Sequence, residues 1–389
     1  MIKLNKWIKA REAMYLILLF GYLCLNIYNI SWIKLEDIIP YFNVFTESLE
    51  NIVIPVCLGI MYITNLIICK SDRHIKTVFL QIVVLLAFVA VSVEYYDMLP
   101  LGMFLLCSHF TSAGKIAQTA SFAVAFATIA VIVASQTGWT TDHIVSRFDG
   151  EKSAHYFGFS HYAIWARQLL FAAAAYLFAR GKKATFIELT ALFALNYAVF
   201  HYSTQRLTFV VGVILIAVHI VVVKFELIKI NNKIFTRLAA IAFPVAFIGS
   251  MALHYFYNES VGIMAKLNTL LSTRLQLGKL AFELFDIKLF AQQVHGLTDY
   301  YFYIDCGYLY LLFAQGIILS FVVMFMYSYL YKRSCKMNNT PLFCWLTVAL
   351  IYLLIDNTAT NMNCTAVILL AFFSAYIEDV RDVKYESDE

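Results

Sequence analysis

Residues 1–30 read MIKLNKWIKAREAMYLILLFGYLCLNIYNI, and this stretch decides the fold class. Lys3, Lys6, Lys9 and Arg11 precede an apolar run from residue 13 to residue 30. The run is too long for the apolar core of a signal peptide, and no small-residue cleavage pattern follows it. It has the length of a first transmembrane helix, for which about 20 apolar residues are needed. The rest of the chain repeats the pattern. Of 389 residues, 61% are hydrophobic and 14% charged, with mean hydropathy +0.73. A soluble domain averages roughly 45–50% apolar and about 25% charged. The expected fold is therefore all-α: a polytopic bundle forming one integral membrane domain over residues 1–389.

Apolar runs of spanning length predict about 12 crossings. They cover residues 13–30, 51–69, 77–93, 98–113, 117–136, 158–179, 184–200, 207–223, 234–253, 306–331, 341–357 and 362–377. Charge orients them. With the N-terminus in the cytoplasm, inner segments carry 20 Lys and Arg and outer segments 8. Bacterial membrane proteins keep basic residues mostly inside, so this asymmetry predicts cytoplasmic termini. The longest connection, residues 254–305, then lies outside as a large extracytoplasmic loop between the ninth and tenth spans. Ile263, Leu267, Leu270, Leu271, Leu277, Leu280 and Leu284 recur in it at helical spacing, predicting surface helices with Lys266, Arg274 and Lys279 on their polar side.

Several function classes are excluded at this level. A net charge of +4 without a basic block speaks against nucleic acid. Eight scattered cysteines form no C-x-x-C, and the outer acids form no D-x-D, so neither a metal nor a cofactor is expected. No internal repeat is visible, as a two-halved transporter would show. Arg167 lies two to three turns into a span, where an uncompensated charge is expensive; Asp356, at the end of the eleventh span, is its candidate partner.

Chemistry concentrates in the outer segments. Residues 141–162 read TDHIVSRFDGEKSAHYFGFSHY, in which ten residues separate Arg147 from Gly158 and His161 follows. Thr204-Gln205-Arg206 forms a short turn between two spans, and residues 272–279 read STRLQLGK, with Arg274. The large loop contains His295 and ends at Asp305, followed by YLYLLFAQGI from Tyr308. An arginine held outside against the positive-inside bias usually pairs with an acid or binds an anion. The guanidinium fork suits phosphate oxygens in bidentate fashion.

In order and sidedness these pieces resemble the Wzy-type polymerases of O-antigen, capsule and exopolysaccharide, relatives of the O-antigen ligases. The matching elements are Arg147 to Gly158, Thr204 to Arg206, and Asp305 with Tyr308 to Ile317. The chain departs from the family pattern at His161-Tyr162-Ala163, where many members have H-P-N, and at Cys306, where asparagine is usual.

The resemblance implies a membrane-embedded glycosyltransferase that moves a polyprenyl-diphosphate-linked glycan onto an incoming lipid-linked repeat unit, on the outer face of the cytoplasmic membrane. Arg147, Arg206 and Arg274 would hold diphosphate. Gly158, His161 and Tyr308 would contribute to the substrate site. Asp305 is the expected general base and His295 the second candidate. Lipid-linked oligosaccharide and membrane lipid are the implied partners, with a chain-length regulator and a flippase nearby. A ligase-type transferase and a non-enzymatic lipid-linked glycan flippase or transporter are the alternatives. A ligase would carry histidine where this chain has Asp305.

Overall fold

The computed structural model describes residues 2–33, 39, 41–68, 75–96, 98–147, 152–294 and 302–376. It is a helical membrane protein: six helical stretches are long and apolar enough to cross a bilayer, beginning with Lys9–Asn29 and Phe42–Thr64. The first lies in α1 (Ile2–Asn29), and the second runs through α2 (Phe42–Ser48), a π-helical turn and α3 (Ile54–Ile68). Shorter apolar helices follow in α4 (Ile75–Ser92) and α5 (Met98–Cys107).

The centre of the bundle is built from α6 (Ala113–Gln136) and α7 (Tyr162–Arg180). Both helices bury many small residues: Ala117, Ala120, Ala123, Ala166, Ala174 and Ala175 are all buried. Helices that cannot rely on a hydrophobic drive in lipid gain from such close approach and from hydrogen bonds between them. Both are present, since Ser121 donates to the Ala172 carbonyl at 2.8 Å and Thr128 to Gln168 Oε1 at 3.0 Å.

Next come α8 (Phe186–Ser203), α9 (Arg206–Val218) and α10 (Lys233–Tyr255). The expected loop helices form as α11 (Gly262–Leu270) and α12 (Arg274–Leu284). α12 does not lie loosely on a surface. It buries Leu275, Gly278 and Ala281, and a Cβ added at Gly278 would come within 2.0 Å of the His254 ring on α10.

Two predicted spans are broken. Residues 306–331 form α13 (Gly307–Ala314) and α14 (Gly316–Lys336), parted at Gly316 with φ +83°. The loop descends to this break, where Gln292 N donates to the Ala314 carbonyl and Ile317 N to that of Lys288. No side chain fits there, because a Cβ at Gly316 would meet the Phe290 backbone at 2.5 Å. Beyond α15 (Thr340–Leu353), residues 354–365 are turns, whereas a continuous helix was expected from residue 362. Thr358, Asn363 and Thr365 are buried in that irregular segment. Non-helical backbone at membrane depth is tolerated when protein satisfies it. Here Tyr327 donates to the Ala359 carbonyl at 3.0 Å, and Gln315 to Thr360 Oγ1 at 2.7 Å.

Among the described residues the fold is all-helical apart from one short hairpin. The segment between α6 and α7 contains an antiparallel pair, β1 (Ile144–Arg147) and β2 (Lys152–His155), in register Ile144 to His155 and Arg147 to Lys152. In sequence four residues, Phe148 to Glu151, connect the paired Arg147 and Lys152, and they include Asp149 and Gly150, residue types common in turns.

Candidate functional site

The hairpin is pinned by one carboxylate. Asp142 accepts hydrogen bonds from His155 Nδ1 at 2.6 Å, Tyr156 N at 3.0 Å and Phe157 N at 2.9 Å. Trp165 of α7 donates its indole N–H to the His155 carbonyl at 2.9 Å. Gly158 then turns the chain with φ +79°, and its carbonyl accepts from Trp32 N, just past α1. A Cβ at Gly158 would lie 2.6 Å from Thr140 Cγ2, so glycine is required by both backbone and space. Gly158 thus fixes a tight turn in the scaffold.

This scaffold carries Arg147 at the end of β1, with its guanidinium 4.8 Å above the Tyr162 ring. Tyr162 opens α7, and His161 caps it, its Nδ1 accepting from Ala163 N at 3.2 Å. With Nδ1 as acceptor, the neutral imidazole carries its proton on Nε2 and presents a donor. Burial, and the positive charges of Arg167 and Arg147, hold the His161 pKa below its ordinary value of 6.5, against an opposing pull from Asp356.

Arg167 lies one and a half turns further along α7. Its Nη1 meets Asp356 Oδ1 at 3.0 Å, with both side chains largely buried. The partner inferred for this charge from sequence is the one found.

The second pair comes from the loop. Ser272 and Thr273 take left-handed backbone, φ 55° and 66°, and start α12 so that Arg274 turns inward. Arg274 Nη1 donates to the Leu271 carbonyl at 3.2 Å, and its Nε lies 3.4 Å from Asp305 Oδ2. Asp305 precedes Gly307, where α13 presses against the end of α15; a Cβ at Gly307 would be 2.7 Å from the Asp356 carbonyl. That contact is why the two aspartates share one site. Burial raises the Asp305 pKa above 3.8, Arg274 opposes this, and the charge of Asp356 adds to it. The Tyr162 hydroxyl lies in the fields of Arg147, Arg274 and Asp305 together.

The Arg167–Asp356 and Arg274–Asp305 pairs thus lie near His161 and Tyr162, over which Arg147 is stacked, so three arginines are set against two carboxylates. The buried Nε of Arg167 has no hydrogen-bond partner among the described residues, whereas that of Arg274 faces the Asp305 carboxylate at 3.4 Å. A charged donor buried without an acceptor costs more than the roughly 1–3 kcal/mol of a neutral one. A cluster built this way is suited to an anionic group.

Other predicted residues fall elsewhere. Arg206 is exposed on the first turn of α9, after the left-handed Thr204. It stands at the same end of the bundle, since Tyr202 packs edge-on against His155 with ring centroids 5.8 Å apart. Tyr308 is fully buried, and its hydroxyl donates to the Leu350 carbonyl at 3.2 Å; it packs the core and does not line the cluster surface. His295 lies outside the described residues. Sequence reasoning did not single out Asp142 or Tyr162, and it left Arg167 either facing a cavity or paired internally, with Asp356 as its candidate partner. Among the described residues, no three His, Cys, Asp or Glu side chains converge as a metal site requires.

Comparison with protein-family profiles, curated proteins and solved structures returns no match. Fold and site thus define a class: a helical membrane protein with a partly buried, net-cationic cluster at one end of its bundle.

Proposed function

We propose that this protein is a polysaccharide polymerase of the cytoplasmic membrane. It has about 12 crossings and cytoplasmic termini, and the cluster faces the outer side. The substrate is a polyprenyl-diphosphate-linked glycan, and the acceptor is a hydroxyl at the non-reducing end of a second lipid-linked repeat unit.

The observation that carries this reading is the cluster itself: the Arg167–Asp356 and Arg274–Asp305 ion pairs with Arg147 stacked on Tyr162 nearby, and the buried Arg167 Nε without a hydrogen-bond partner among the described residues. In the reaction the acceptor hydroxyl gives its proton to the Asp305 carboxylate as its oxygen bonds the anomeric carbon. The bond from that carbon to the diphosphate oxygen breaks, and the lipid diphosphate leaves with the electron pair. Fixed cations aimed at the growing charge favour this step more than the ground state. The raised pKa of Asp305 makes it a better proton acceptor than an ordinary carboxylate.

The test is to incubate the purified protein, in lipid, with a lipid-linked repeat unit. A ladder of lengthening lipid-linked glycans establishes the polymerase. Transfer to a different lipid core identifies a ligase, and unchanged substrate moved across the bilayer a flippase.

A further inference from the structure

A second polar cluster lies where α1, the π-helical turn Leu49–Val53 and the irregular segment after α15 meet. Glu50, in that turn, is only 4% exposed. It accepts hydrogen bonds from Asn26 Nδ2 and Asn29 Nδ2, each at 2.5 Å. Asn29 Oδ1 accepts from the buried Thr46 hydroxyl at 3.0 Å, and Asn26 Oδ1 accepts from Asn363 Nδ2. Asn26 and Asn29 stand one turn apart on α1, so a single helix face presents both amides.

This cluster is richer in oxygen lone pairs than in hydrogens to fill them. Each amide or hydroxyl oxygen carries two lone pairs and a carboxylate about four, whereas a threonine brings one O–H and an asparagine two N–H. One atom shows the surplus directly. Asn363, 1% exposed, gives its amide N–H to Asn26 and leaves Oδ1 buried without a hydrogen-bond partner among the described residues. The fully buried Thr358 Oγ1, in the same irregular segment, also has none among them. A buried acceptor left unmet costs stability unless a ligand meets it. Acids at membrane depth and π-helical turns mark functional sites, and unwound helical backbone in membrane proteins commonly holds cations.

We infer that these oxygens bind a monovalent cation, sodium, between Glu50 and Asn363. The donors are all oxygen, which suits a hard cation. One carboxylate among amides and a hydroxyl favours a single positive charge, since the affinity of a divalent ion rises with the charge of its ligands. α1 ends at Asn29, and Ser31 just beyond it bridges Phe159, so the site lies at the same end of the bundle as the arginines. Asn26 and Asn29 are partly exposed and give the ion a way in. Once bound, it ties α1 and Glu50 to residues 354–365, the segment that carries Asp356, the partner of Arg167. No residue of the arginine cluster takes part, so the site holds whether or not that cluster binds diphosphate.

The experiment titrates full-length protein in nanodiscs with radioactive sodium, choline chloride holding the ionic strength. Wild type is expected to bind sodium saturably. Glu50→Gln and Asn363→Ala should each weaken it at least about tenfold, the smallest loss usual when a metal site loses a supporting partner. Absence of saturable binding to wild type overturns the site, as does equal affinity in wild type and both variants. Tighter binding of calcium than of sodium, read by competition, overturns the monovalent assignment. Should neither variant fold, Cys364 decides on the wild type. It is fully buried next to Asn363, and an ion held there lowers the population of the opened segment. Sodium should therefore slow its alkylation several-fold relative to choline, followed by mass spectrometry of the Cys364 peptide. Equal rates in the two salts overturn the assignment.

Discussion

Arg167 and Asp356 are separated by 189 positions in the sequence and by 3.0 Å in the structure. Neither charge can stay in a bilayer-embedded bundle alone, so each accounts for the other. Removing one partner of a buried pair costs about 3–5 kcal/mol, because an uncompensated charge remains. Asp356→Asn and Arg167→Met should therefore each lower the thermal midpoint of the solubilised protein sharply. The double substitution should recover much of that loss and none of the transferase activity. Midpoints that fall no further for the singles than for the double would show that the pair is not the stabilising unit.

Arg147 should not tolerate lysine. Its guanidinium stacks on Tyr162 and, on the reading above, bonds diphosphate through a planar fork. A point charge on a flexible stem supplies neither. Arg147→Lys should lose most polymer formation while the protein still reaches the membrane in normal amount, and Arg274→Ala should do the same. Normal ladders from both variants would remove the diphosphate assignment.

Asp305→Asn should abolish the ladder but leave lipid-diphosphate binding nearly unchanged, since the amide keeps the shape and cannot accept a proton. In the wild type, activity should fall on the acid side with an inflection above 3.8, because burial holds the proton on this carboxyl. The sign for stability follows. The folded carboxyl binds its proton more tightly than the unfolded one, so its ionisation costs stability as pH rises from 3.8 through the folded value. A variant that still polymerises at the wild-type rate would transfer the role of base to another group, with His295 next to be tested.

His161 should impose the opposite dependence. Its folded pKa lies below 6.5, so the unfolded chain takes up the proton first as pH falls. Its contribution is intact above about pH 6.5 and is lost as pH drops towards the folded value. His161→Asn keeps an N-cap acceptor for α7 and removes the titration. Denaturation midpoints measured from pH 7.5 down to pH 5 should fall less in this variant than in wild type; parallel curves would exclude His161 as a source.

Topology is the most direct test of the proposed sidedness. Glu259 is exposed between α10 and α11. Cysteine placed there should react with an impermeant thiol reagent in intact cells or spheroplasts. Labelling only after permeabilisation would place the cluster on the cytoplasmic side and rule out the proposed reaction.

Much of this was legible in the chain because each signal is local. Apolar runs announce membrane helices, as the low solubility of bare backbone in hydrocarbon leaves helices as the answer. Heptad-like leucines in residues 263–284 announced α11 and α12. Arg147, Arg274 and Asp305 stood out because each is a charge beside an apolar span, and a charge in that place needs a partner. The β1–β2 hairpin was not legible, since residues 144–155 alternate too weakly to suggest strands.

What no single stretch contains is which charges meet. Gly307 and Gly316 look alike in sequence, yet one lets α13 touch the end of α15 and the other admits residues 288–290 beside a broken span. Tyr308 reads as a ring at a helix entrance, and only packing turns it into the core. Arg274 reads as the polar side of a surface helix, and only the left-handed backbone at Ser272 and Thr273 turns it towards Asp305. By itself the sequence determined a helical membrane protein and the residues with charges to satisfy. The tertiary structure decided how they are satisfied, because a buried charge is indifferent to distance along the chain and answers only to what lies within a few ångströms of it.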